Sequence, residues 1–299
     1  MASQRNNYGA AVIGRHHVLR YGAPIIGRIP AVSYPVAAAV GWATWQLRPG
    51  FRRTLIRNML PLVDGDRARA RSEARLALRN ISRYWVDIAT IPYRDMSRFE
   101  ERHIRLVNGE RLAALDRPGP LIIVSAHTGG AEICLQAITF RGRAFTALVE
   151  QIQPPEMTLQ LNRLRSAGGG AFHIAGTAGA LAAFRALRAG GVVGLMADRD
   201  IQANGLCIDV AGRMVRLPRG PWELAARTGA TVLPIFATRA WNDRFTVTVE
   251  EPFLVEDTPD AICVAMQRFA RVLSPLLRAQ PGQWCVPEDF WAEHGCGQG

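Results

Sequence analysis

Lysine is missing from this chain: all 36 basic residues are arginine, set against 25 acidic ones, for a formal net charge of +11. The arginine-only usage reads first as high-GC coding; it also suits phosphate-bearing partners and anionic membranes. No helix with repeated basic spacing, no zinc-finger spacing and no aromatic RNA-binding motif goes with that charge, so nucleic acid is not the expected partner. Cysteine is sparse. The five are scattered, odd in number and without a Cys-x2-Cys pair, which speaks against a disulfide framework or a structural zinc site. Cys285, His294 and Cys296 lie close together near the end, but ordinary reduced thiols are expected, with no metal. Gly168-Gly169-Gly170 lacks the lysine and spacing of a phosphate loop and reads as a flexible turn. Met1 to Ala10 is polar, without the charged start and apolar core of a cleaved signal peptide.

Long apolar runs are scarce too. Ile29 to Leu47 is the nearest to one, interrupted by Pro30, Ser33, Pro35 and Gly41. It is barely long enough to span a bilayer, which takes about 20 residues. Arg15, Arg20 and Arg28 precede it; Arg48, Arg52, Arg53 and Arg57 follow. An in-plane helix with an arginine collar on a membrane surface fits better than a single span or a core helix, although those two readings stay open. Residues 1–60 are therefore expected to form a membrane-associating helical segment, and 61–299 the main domain.

What is present is alternation. Residues 67–91 have a helical apolar face of Leu76, Ile81, Tyr84, Trp85 and Ile88. Strands are expected at 121–124, 144–149, 171–174, 192–197, 231–238 and 245–249. Helices are expected at 131–140, 155–165, 177–189, 221–227 and 260–277. That order implies an α/β fold with a mainly parallel central sheet flanked by helices. Leu121-Ile122-Ile123-Val124, bounded by Pro118-Gly119-Pro120, is an unbroken apolar run of the kind found in buried parallel strands. It leads into Ser125-Ala126-His127-Thr128-Gly129-Gly130-Ala131-Glu132. His127 thus stands at a strand's carboxyl end, where open α/β sheets bind ligands. In a continuous helix His127 and Glu132 would be about 500° apart. They can meet only if Gly129-Gly130 bends the chain back. Glu132 would then fix the imidazole tautomer and leave the other nitrogen as a base. The competing reading is a packed strand-end histidine, with Glu132 a favourable charge in the helix's first turn.

His-x4-[Asp/Glu] after an apolar strand resembles the first motif of the glycerolipid acyltransferase superfamily. Further along, Gly191-Val192-Val193-Gly194-Leu195-Met196-Ala197-Asp198-Arg199-Asp200 resembles the strand ending in Asp-[Arg/Gln]-Asp of one branch, the bacterial lipid A and phosphatidylinositol mannoside acyltransferases. The stretch from Leu217-Pro218-Arg219-Gly220-Pro221-Trp222 to Pro234 is similar to its proline-glycine turn, helix and strand. Gln283-Trp284 and Trp291 resemble its closing tryptophan segment. The likeness runs in order over roughly residues 50 to 291. One departure is Val210-Ala211-Gly212, where many relatives have two phenylalanines before the glycine, which bears on the acyl-chain or acceptor fit.

The resemblance implies a glycerolipid-acyltransferase-like fold and a membrane-associated O-acyltransferase. The enzyme would move a fatty acyl group from a thioester donor to a hydroxyl of a membrane glycolipid or lysophospholipid, without metal or bound cofactor. It would work at the cytoplasmic face of a bacterial inner membrane, on an anionic surface. The Asp-Arg-Asp form and the composition favour the phosphatidylinositol mannoside type with acyl-CoA as donor. A lipid A type using acyl carrier protein is the alternative. His127 is the expected base and Glu132 its orienter. Arg165, Asp198, Arg199, Asp200, Arg219 and Gly220 are the expected substrate-binding set. For Asp198-Arg199-Asp200 the rival is a structural ion-pair cluster, and for Arg219-Gly220 plain helix capping. Trp284 and Trp291 are open between a membrane-facing rim and packed core. A hydrolase using Ser125 or Cys134 lacks the nucleophile-elbow pattern and any sign of an activated thiol. A non-catalytic membrane-surface scaffold would not need His127 and Glu132.

Overall fold

In the computed structural model, residues 17–139 and 143–296 are described. The expectations for residues 1–16, including Arg15, and for Phe140 fall outside them. The centre is a seven-stranded sheet in the order β1-β9-β8-β2-β5-β3-β4. Its strands are β1 (Ile104–Val107), β2 (Leu121–Ser125), β3 (Phe145–Val149), β4 (Ala171–Ile174), β5 (Val192–Met196), β8 (Thr231–Arg239) and β9 (Phe245–Val249). β8, β2, β5, β3 and β4 run parallel. β9 reverses against β8, and β1 follows β9 in parallel. β6 (Leu206–Val210) and β7 (Arg213–Leu217) form a separate antiparallel hairpin.

β2 is central because both of its faces are apolar. Ile122 and Val124 pack into one core layer, and Leu121 and Ile123 into the other. All four are buried, each contributing about 2 kcal/mol through lost apolar exposure. Helices cover both faces, as strand-helix alternation requires. On the layer of Ile122 and Val124 lie α9 (Thr177–Arg188), α10 (Gly220–Thr228) and α11 (Pro259–Ala279). On the other lie α5 (Met96–His103), α6 (Ala113–Asp116), α7 (Ala131–Thr139) and α8 (Pro155–Ser166). After β2 the chain crosses over the place later filled by β5, and β8 then adds on the opposite side. The strand order therefore reverses beside β2, and that crevice is where such sheets take ligands.

The N-terminal region is helical: α1 (Ala23–Arg28), α2 (Pro30–Leu47) and α3 (Pro49–Met59) lead into the long α4 (Arg67–Thr90). Asp66 caps α4 by accepting from the N–H groups of Ala68 and Arg69. α2 packs closely on α4 at Gly41, where a Cβ would come within 2.6 Å of the Ser82 hydroxyl. Its opposite side is an exposed apolar stripe: Ile29, Val32, Val36, Val40 and Leu47. Among the described residues no helix is long and apolar enough to cross a membrane, so a single span through residues 29–47 finds no support. α3 reaches the far end of the chain. Buried Asn58 donates to the carbonyls of Val286 and Glu288 and accepts from the N–H of Phe290.

The cysteines correct an expectation. Cys207 on β6 is disulfide-bonded to Cys296, 89 residues on; Cys134, Cys263 and Cys285 are free thiols. Scattered spacing hid the pair because the fold brings β7 beside the C-terminal tail, with Val215 bridged to Gly295. Cys285, His294 and Cys296 therefore do not form a ligand set, and no group of three His, Cys, Asp or Glu residues among those described could hold a metal ion.

Candidate active site

The β2–β5 register pairs Ser125 with Met196. The next residues out of the sheet, Ala126-His127 and Ala197-Asp198, therefore leave it side by side. Asp198 is buried and meets His127 twice: Oδ1 lies 2.7 Å from the imidazole Nδ1, and Oδ2 accepts the His127 backbone N–H at 3.0 Å. The indole N–H of buried Trp284 donates to the same Oδ2 at 2.9 Å. Burial pushes the Asp198 carboxyl up, but the His127 charge and the hydrogen bonds from His127 and Trp284 outweigh it, and the pKa falls to about 2. An ionised carboxylate only accepts, so Nδ1 carries a proton and Nε2 is the nitrogen left to face a substrate. The ring is 31% exposed, and no protein hydrogen bond among the described residues occupies Nε2.

The turn after His127 is built for close approach. Gly130 has φ +86°, and a Cβ there would strike the Phe245 ring at 2.1 Å. The C-terminal segment lies against this turn: the Cys285 N–H donates to the His127 carbonyl at 2.6 Å, and Thr128 is bridged to Trp284.

Glu132 does not reach the histidine. It stands in the first turn of α7, and its carboxylate takes Arg165 from α8 in a two-pronged pair, Nε–Oε1 at 2.6 Å and NH2–Oε2 at 3.1 Å. The Tyr84 hydroxyl of α4 donates to Oε2 at 3.1 Å and accepts from Arg165 at 2.7 Å. Burial lowers the Arg165 pKa, and the Glu132 and Tyr84 contacts more than restore it. Three helices are thus tied together beside the His127 turn. Gly129-Gly130 does bend the chain, but the carboxylate brought to the imidazole is Asp198.

The other expected residues divide. Arg199 is largely buried between Glu288 and Glu150, the latter at 3.2 Å. Burial pushes the Glu288 carboxyl up, but the His294 hydrogen bond and the Arg199 charge outweigh it, so its pKa falls below the usual value. Asp200 holds a turn, accepting from the Gly205 N–H at 2.8 Å and lying 3.3 Å from Arg216. Arg219 pairs with Glu223 one turn along α10 at 2.5 Å. Gly220 begins that helix. Among the described residues no hydrogen bond or ion pair joins Arg219 or Gly220 to the histidine.

The bacterial lipid A biosynthesis acyltransferase family model matches residues 29–291. The chain belongs to that family. It is an acyltransferase. A phosphatidylinositol mannoside acyltransferase of Mycobacterium tuberculosis is 24% identical over 225 residues, covering 72% of this chain and 69% of that protein. One from Mycolicibacterium smegmatis is 24% identical over 259 residues, covering 83% and 82%. The crystal structure of a 1-acyl-sn-glycerophosphate acyltransferase, PlsC, from Thermotoga maritima aligns over 84% of this chain and 98% of its own, at 15% identity and a TM-score of 0.41.

In this acyltransferase the two candidate nucleophiles are poorly placed for covalent chemistry. Ser125 is fully buried in β2 and its hydroxyl has no partner. Cys134 is buried inside α7, where burial pushes its thiol well above the usual range. Neither contacts His127. Sequence reasoning missed two residues of the constellation: Trp284 as a donor to Asp198, and Tyr84 as the third member of the Glu132–Arg165 pair. The closing tryptophan motif was the available signal for the first, and the apolar face of residues 67–91 for the second. Trp284 packs edge-on against Phe290 and Trp291, so it is core that also serves the site.

Proposed function

We propose that this acyltransferase transfers a fatty acyl group from a thioester, acyl-CoA in preference to acyl carrier protein, to a hydroxyl of a membrane glycolipid. The observation that carries the chemistry is the His127–Asp198 pair with Nε2 left open. Nε2 takes the proton of the acceptor hydroxyl as its oxygen attacks the thioester carbonyl. A C–O bond forms and a tetrahedral oxyanion develops, for which backbone N–H groups at the start of α7 are the candidate donors. The C–S bond then breaks and the imidazolium returns its proton to the departing sulfur. Asp198 stabilises the imidazolium between those steps. No acyl-enzyme, metal or bound cofactor takes part.

The glycolipid acceptor rests on the names of the mycobacterial relatives and on the family. The membrane surface rests on the exposed α2 stripe, which suits in-plane burial better than any span. An acyl-CoA donor places the reaction on the cytoplasmic face. By resemblance to the family, Arg199, Asp200, Arg219 and Gly220 stay the candidates for the acceptor headgroup, whereas Asp198 is engaged with His127 and Arg165 with Glu132. The family description also keeps a lipid A-type acceptor with acyl carrier protein as a second reading. Purified wild-type and His127→Ala protein given radiolabelled palmitoyl-CoA and host membrane lipids would separate these. A labelled glycolipid made by the wild type alone is expected. Near-normal transfer by a folded His127→Ala protein contradicts the mechanism, and label only when acyl carrier protein replaces CoA selects the second reading.

A further inference from the structure

Trp45 of α2 is almost fully buried, yet its indole N–H has no hydrogen-bond partner. Three guanidiniums surround its ring: Arg52 at 5.8 Å, Arg71 at 5.7 Å and Arg75 at 5.3 Å from the centroid. None of the three forms a salt bridge with a described carboxylate. Like charges gathered on one indole without a counter-ion repel one another, and cation–π attraction to the ring offsets only part of that. Beside them is a groove of about 360 Å³ lined by Ala38, Gly41, Trp42 and Trp45 of α2 and by Arg75 and Arg79 of α4. Its floor is apolar and its rim cationic.

The groove's position gives the occupant. On a helix Trp42 lies about 120° around the axis from the Val36 stripe, on the flank towards α4. With the stripe buried in a bilayer, the groove opens sideways at headgroup level, where tryptophan and arginine are favoured. Trp42 is 67% exposed there. We propose that this groove binds the phosphate of an anionic glycerophospholipid, held by Arg75 and the Trp45 N–H with Arg71 one turn back on α4 adding its charge beside the same ring, apart from the catalytic histidine. The phosphate supplies the missing counter-charge and acceptor, and the lipid's glycerol end lies over Trp42. Arg79, which donates to the Trp241 carbonyl and stacks on that exposed ring at 4.0 Å, closes one end. The inference rests on the membrane-surface reading but not on the identity of the acyl acceptor.

The test is cosedimentation of the full chain with vesicles of phosphatidylcholine alone or containing phosphatidylglycerol, read without turnover. Arg71→Gln/Arg75→Gln is compared with Arg188→Gln/Arg227→Gln, an exposed pair elsewhere that removes the same charge. The first pair should weaken binding to the anionic vesicles roughly tenfold or more, and the control pair by less than about twofold. Trp45→Phe, which keeps a ring but loses the donor, should weaken it by a smaller factor at unchanged melting temperature. Equal losses from the two arginine pairs would show that net charge alone is sensed and would overturn the site. So would equal binding of the wild type to both vesicles, or full displacement from the anionic ones by glycerol 3-phosphate at constant ionic strength. Acyl transfer measured in detergent is a separate readout, so loss of the site and loss of the proposed reaction are distinguishable.

Discussion

Asp198 has three donors on one carboxylate and sits where β5 leaves the sheet. Its pKa of about 2 lies below the ordinary aspartate value of about 3.9. A group depressed on folding stabilises the native state above its unfolded pKa, and that contribution is lost as pH falls through the folded value. Asp198 should therefore contribute about 2 kcal/mol at neutral pH, lost between about pH 4 and 2. Urea unfolding of wild type and Asp198→Asn across that window checks it: the difference between them should shrink as the pH falls. Trp284→Phe keeps the aromatic cluster but removes one donor to Oδ2. Transfer should fall about tenfold through kcat with little change in KM, since a hydrogen bond to a charged group contributes about 1.5–3 kcal/mol. A KM effect alone would count against the role given to that N–H.

At the scale of elements, two buried ion-pair groups tie the layers together, one among helices and one between helices and the sheet. Glu132, Arg165 and Tyr84 join α7, α8 and α4. In the other, Arg239 at the end of β8 pairs with Asp87 of α4 and, at 2.8 Å, with Asp243, while the Tyr34 hydroxyl of α2 donates to Asp87 at 2.7 Å. Removing one partner strands a buried charge, so Asp87→Ala should cost about 3–5 kcal/mol, measured by denaturant unfolding. A loss below 1 kcal/mol would show that water replaces the pair. How much of this was legible in sequence follows from range. The β2 strand, its histidine and the helices after it were readable because apolar runs and turn residues are local signals. The choice of carboxylate was not: Glu132 is five residues from His127 and Asp198 is 71 residues away, and only the β2–β5 register decides between them. The β6–β7 hairpin was missed as well. Its turn has positive φ at Ala211 and Gly212, and alanine there does not advertise a turn.

On the scale of the whole molecule, the chain's last segment closes over its middle. Trp284 supports Asp198, Glu288 holds Arg199, His294 stands 3.8 Å from Glu288, and Cys296 is bonded to Cys207. The disulfide closes a loop of 89 residues, for which the chain-entropy account gives about 4.6 kcal/mol and native disulfides typically deliver about 2–4 kcal/mol. Cys207→Ser, or reduction of the wild type, should lower unfolding stability by that order and expose the tail to carboxypeptidase. Unchanged stability and protection would mean that Asn58 and the aromatic cluster alone hold the segment. The apolar stripe of α2 lies outside all of these ties. Neither the strand-helix pattern nor the active site accounts for its exposure, and the proposed membrane surface would cover it.

The central claim is that His127 is the base and Asp198, not Glu132, is the carboxylate that orients it. The most direct test compares acyl transfer by wild type, Asp198→Asn and Glu132→Gln, each shown to be folded by circular dichroism. Asp198→Asn should lose roughly 10³–10⁴-fold in kcat, as expected when the wrong tautomer is held. Glu132→Gln, which keeps the oxygen facing Arg165, should retain far more of its turnover and show its main loss in stability. The reverse order, with Glu132→Gln nearly inactive and Asp198→Asn nearly normal, would contradict the account.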